Sequence, residues 1–94
     1  MDYLEELENV VVKRHGCEAA FAGGVQVSES FTGKMPWFGN VIVFDLKGHP
    51  QARRCYAWGH RTSQGGWEMT TVLEVPPVDS PPAAVRAAVA SGLR

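Results

Sequence analysis

The chain has no paired cysteines, no excess of positive charge, and no long apolar run. Cys17 and Cys55 stand far apart, the three histidines are scattered, and CxxC, HExxH and HxH are all missing. Metal sites of the familiar spacings are thereby excluded. Gly23-Gly24 and Gly65-Gly66 occur without a GxGxxG pattern or a Walker lysine, so both read as turn chemistry. A GxSxG nucleophile elbow is also absent. No cofactor is expected. No apolar stretch approaches the roughly 20 residues that cross a bilayer, so no membrane partner is expected. The acidic start, Met1 to Glu6, lacks the basic and apolar regions of a secretory signal. The expectation is a cytoplasmic protein with both thiols free.

Nine Lys and Arg stand against ten Asp and Glu, for a net charge of -1. Dedicated nucleic-acid binders usually carry a positive excess, because neutralising phosphate supplies most of their affinity. Ninety-four residues, 45% of them hydrophobic, are enough for one modest core and one domain spanning 1–94.

What is present is a clear order of elements. Leu4, Leu7 and Val11 repeat at helical spacing, widened by Tyr3 and Val10. Asp2, Glu5 and Glu6 favour the positive end of that helix, while Lys13, Arg14 and His15 favour the other, before Gly16. The period then changes to two, with Val25, Val27, Glu29 and Phe31 alternating with polar residues. The stretch 31–40 reads as a connection broken by Gly33, Pro36 and Gly39. Further strands are predicted at about 40–47, 51–60 and 67–75. Val75 to Pro82 holds four prolines and reads as a stiff linker. Asp79 or Ser80 can then cap a final helix carrying Val85, Ala88 and Val89 on one face, with Gly92 as its stop.

The hairpin around Gly48-His49-Pro50 combines apolar and basic character. A three-residue loop sets Phe44 opposite Arg54, Ile42 opposite Tyr56, and Asp45 in an ion pair with Arg53. Ile42, Phe44, Leu46, Tyr56 and Trp58 then share one face, and Val41, Val43, Cys55 and Ala57 the other. A two-residue loop would set Phe44 against Arg53 and Val43 against Arg54, pairing apolar groups with charge. The fold expected is α+β, a two-layer sandwich of helix, four antiparallel strands and helix, with both helices on one face. The opposite face would stay apolar and open, which predicts a homodimer or a bound ligand there.

Arg54, Tyr56, Trp58 and His60 form the candidate binding set. Arginine grips phosphate and aromatic rings stack on bases, so nucleic acid is the alternative partner. The competing reading makes Tyr56 and Trp58 packing residues. His60 paired with Asp45 or Glu68 suggests a small hydrolase or nuclease as a further alternative. His49, between Gly48 and Pro50, reads as a turn residue. Cys17 follows a helix C-terminus, which disfavours a thiolate.

Two blocks carry a resemblance. Trp37, Gly39, Val41, Val43, Phe44, Leu46, Gly48, His49 and Pro50 form the first, followed by Arg54 to Trp58. Val75-Pro76-Pro77-Val78-Asp79-Ser80-Pro81 with Ala84 to Val89 forms the second. Together they are similar to a group of small bacterial proteins sharing a W-x-G-x-V-x-V-F-x-L-x-G-H-P block and a V-P-P-V-D-S-P block. The resemblance implies bacterial kinship and carriage on mobile elements such as integron cassettes, and it transfers no activity. The element order also resembles double-stranded-RNA-binding domains. Their lysine cluster at the second helix is missing, since this helix offers only Arg86 before Arg94. The expected role is a small non-enzymatic dimeric binding or adaptor protein.

Overall fold

The computed structural model describes residues 2–30 and 36–92. The expected breaker Gly33, the strand position Phe31 and the terminal Arg94 lie outside the described residues. The elements are α1 (Tyr3–His15), β1 (Glu18–Glu29), β2 (Trp37–Lys47), β3 (Arg54–Arg61), β4 (Trp67–Leu73) and α2 (Pro81–Ala90). The sheet order is β1-β2-β3-β4, every neighbour antiparallel. The α+β arrangement of helix, four antiparallel strands and helix is the one its sequence pattern predicts. β1 and β2 each reach further than expected, starting at Glu18 and Trp37.

Local chemistry sets the helix ends. Asp2 stands outside the first turn of α1, its carboxylate accepting the Glu5 N–H at 2.8 Å. Gly16 closes the helix at φ 63 and returns its N–H to the Val12 carbonyl, a backbone region that suits glycine. Ser80 caps α2 by accepting the Ala83 N–H, with Pro81 and Pro82 in the first turn.

The two helices do not share a face. Leu7 and Val11 of α1 pack with Ile42, Phe44, Cys55 and Ala57. Ala84, Val85 and Ala88 of α2 pack with Val27, Val41, Val43, Tyr56 and Trp58. Successive strand residues point to opposite faces, so each helix makes its own two-layer packing, one on either side of the sheet. The physical reason lies in β2, where Val41, Ile42, Val43 and Phe44 are all buried. A strand apolar on both faces demands cover on both. The sheet face expected to remain open for a partner is covered by α2.

The β2–β3 register also differs from expectation. Ile42 lies opposite Ala57, Val43 opposite Tyr56, Phe44 opposite Cys55 and Asp45 opposite Arg54. The connection is longer than either predicted loop, because Leu46 donates its N–H to the Arg53 carbonyl. Inside it, His49 Nδ1 accepts the N–H groups of Gln51 and Ala52 at 3.0 and 3.1 Å. That acceptance places the neutral imidazole's proton on Nε2. In this register Phe44 and Ile42 each face a small neighbour, and the aromatic rings of β3 move to the α2 side.

Away from the connection, the β2–β3 pairing ends at Ile42/Ala57. Beyond that point β1–β2 continues to Glu29/Trp37 and β3–β4 to Arg61/Trp67, so the sheet forks into two arms. Trp37 and Trp58 close the fork on the α2 side, their rings meeting edge-on at 5.5 Å. On the α1 side the Tyr3 hydroxyl accepts the Gly59 N–H at 2.7 Å. The Trp67 ring lies over Gly59, where a Cβ would meet ring carbon Cζ2 at 2.6 Å.

Candidate functional site

Alternation along β3 puts Arg54, Tyr56, Trp58 and His60 on the α2 side, and the core divides them. Arg54 is exposed and donates from Nε to Asp45 Oδ1 at 3.1 Å. The predicted ion pair of Asp45 with Arg53 is therefore made by Arg54, its direct cross-strand neighbour. Tyr56 and Trp58 are 2% and 1% exposed, beneath α2. The Tyr56 hydroxyl donates to the Glu74 carboxylate. Burial, then the Glu74 hydrogen bond and charge, raise its ionisation well above the ordinary tyrosine range. A base reaches either ring only if α2 is displaced.

His60 sits at the far end of the strand, about 20 Å from Arg54 at ~3.3 Å per residue. Its Nε2 lies 3.5 Å from Glu68 Oε2, its direct cross-strand neighbour. Its Nδ1 is buried and meets no hydrogen-bond partner among the described residues. Asp45, paired with Arg54 at the opposite end of β3, is not brought to His60. The structure thus unites His60 with Glu68 and separates it from the other three candidates.

His60 and Glu68 line a groove of about 1010 Å³ along the outer side of β4. Val10 and Arg14 of α1 form one wall, and residues 62–64 of the β3–β4 turn form another. That turn is held by Thr62, which exchanges backbone hydrogen bonds with Gly66 and Gly65 and also accepts the Gly66 N–H on Oγ1. Trp67, 51% exposed, borders the groove at the fork.

The floor of the groove is an edge strand. Among the described residues β4 pairs with β3 alone. Glu74, just past its end, gives its N–H to Arg54 of β3, so even-numbered residues turn their backbone groups inward. Odd-numbered residues turn theirs outward, and Arg14 reaches the Met69 carbonyl from outside at 2.7 Å. Next to it, His15 Nε2 and the Thr71 hydroxyl lie 3.0 Å apart. Burial, His49 and Arg14, in that order, lower the His15 pKa from 6.5. The His15 and His49 rings meet edge-on at 6.2 Å.

Both cysteines are free and buried, and burial pushes the Cys55 thiol up to about 12. Among the described residues no three His, Cys, Asp or Glu side chains assemble a metal site. Among the same residues no helix is long and apolar enough to cross a membrane.

Arg14, Met69 and Thr71 were not marked by their sequence context as site residues. The available signal was β4 itself, the last strand, with one charged residue in Trp67–Leu73 and neither proline nor glycine. Comparisons with family models, curated proteins and solved structures find no match for this chain.

Proposed function

We propose that this chain is a small non-enzymatic binding or adaptor protein that engages an extended polypeptide segment along β4. The observation that carries the reading is the groove of about 1010 Å³ running beside the unpaired edge of that strand. An exposed strand edge offers a ladder of N–H and C=O groups to a further strand. Main-chain bonds there supply affinity, and the groove walls supply selectivity. Trp67 offers a half-exposed ring, Val10 an apolar contact, and His60 with Glu68 a polar one. A homodimer belongs to the same reading, moved from the sheet face to the sheet edge.

An array of neutral, β-forming heptapeptides, followed by amide chemical-shift mapping, tests the proposal. Binding peptides are expected to shift Met69, Thr71 and the 62–66 turn while leaving β1 unmoved. An array without a binder, or shifts confined to β1, would refute it.

A further inference from the structure

We infer that the strand received by β4 is β4 of a second copy, paired antiparallel about Thr70, with Arg14 as the group it displaces. The inference deepens the proposed function by naming the partner, and it rests on that reading of the edge. Three observations carry it.

The first is the contrast between the sheet's two edges. β1 is interrupted by a bulge between Phe21 and Gly23, a device that twists an edge away from further pairing. β4 pairs with β3 without a register shift over its whole length and contains no proline, glycine, lysine or arginine. It is therefore the edge suited to continue the sheet.

The second is self-complementarity. Outward backbone groups belong to odd-numbered residues, so an isologous antiparallel pair must set odd against odd. Centring the two-fold on Thr70 pairs the whole of Trp67–Leu73. Met69 then faces Thr71 of the second copy, and the N–H and C=O of both residues gain partners. On the α1 side Trp67 meets Leu73 across the pair, an apolar match. On the α2 side Glu68 meets Val72 and Thr70 meets Thr70, so no like charges are opposed. Other peptides must supply this pattern, whereas the chain itself already has it.

The third is Arg14. Its guanidinium donates to the Met69 carbonyl, the acceptor that the Thr71 N–H of a second copy requires. A carbonyl carries two lone pairs, but the guanidinium already holds the outward side of this one, so an incoming N–H must share the oxygen or push Arg14 aside. Arg14 thus competes with the incoming strand, as charged side chains do on protected edges. The edge is guarded by one side chain rather than by the strand's own sequence.

Sedimentation equilibrium from micromolar to millimolar protein tests this, using the wild type, Arg14→Ala and Thr71→Pro. The wild type should dimerise, and Arg14→Ala should tighten the dimer by about tenfold. Thr71→Pro removes an outward N–H that β3 does not use and should give a monomer. If that variant fails to fold, amide exchange of the wild type decides. Met69 and Thr71 should gain protection with concentration. A wild type that stays monomeric at millimolar concentration overturns the inference, as does a dimer that survives Thr71→Pro or protects β1 instead. Peptide binding at β4 by a chain that stays monomeric would refute the second copy while leaving the proposed function standing. Loss of both would refute the edge as a binding surface.

Discussion

The hydroxyl of Tyr3 takes the place of a missing strand at Gly59. Odd-numbered residues of β3 turn toward β2, as the Arg53 carbonyl bonded to Leu46 indicates. The last such pair is Ala57 with Ile42, and beyond it the arms part. Gly59 would expose its N–H in the fork, but Tyr3 accepts it at 2.7 Å. The same phenol meets Trp67 edge-on at 6.2 Å. The start of α1 is thereby tied to the arm that carries the β4 groove.

Tyr3→Phe keeps the ring and removes the acceptor. It should lower stability by about 1 kcal/mol, the usual net worth of one hydrogen bond. Amide exchange at Gly59 should quicken while Ala57 keeps its protection. Unchanged exchange at Gly59 would show that the hydroxyl does not serve this N–H.

Trp58 should behave as a core residue. It is 1% exposed between Trp37 and α2, so Trp58→Ala should cost about 3–5 kcal/mol in urea unfolding. A loss under about 1 kcal/mol would contradict its burial, given the same range for buried aromatic truncations.

The order of elements was legible in the chain, and the assignment of faces was not. Asp2, Gly16 and Ser80 sit where local capping rules place them. Those rules involve only residues close in sequence. The β2–β3 register depends on His49 folding back onto Gln51 and Ala52, which lengthens the connection. Val41 to Phe44 offers no polar alternation to expose an error, since a slip exchanges one apolar face for another. The candidate site failed to emerge for a related reason. Arg14 and Met69 are 55 residues apart, and only the packing of α1 onto β4 joins them. His60 with Glu68 was legible as one of two carboxylate pairings, and the β3–β4 register selects it.

Alkaline pH should destabilise the fold through Cys55. Its thiol rises from an ordinary 9.0 to about 12 on folding, mainly through burial. Above pH 9 the unfolded chain loses this proton first, so stability falls as pH rises toward 12. The full effect is up to about 4 kcal/mol for a completely buried thiol. Tyr56 acts in the same direction above pH 10. Urea unfolding across this range should show the decline, and Cys55→Ala should flatten its first part. An equal slope in the variant would contradict the assignment.

Mild acid should act through His15. Folding lowers its pKa below 6.5, chiefly through burial and then through His49 and Arg14. As pH drops through 6.5 the unfolded chain binds the proton first, and stability falls until the folded-state pKa is passed. His15→Gln keeps a polar group near Thr71 and should lessen that fall. A steeper acid loss in the variant would reverse the sign and contradict this origin.

The most direct test of β4 as the contact edge is an intermolecular nuclear Overhauser experiment. It uses a sample mixed from isotope-labelled and unlabelled chains. Thr70 and its symmetry mate would form a non-hydrogen-bonded pair, with α-carbons about 4.5 Å apart. A strong cross-peak is expected between the Thr70 α-protons of two copies. A dimer whose intermolecular cross-peaks arise from β1, or a concentrated sample without any, would contradict it.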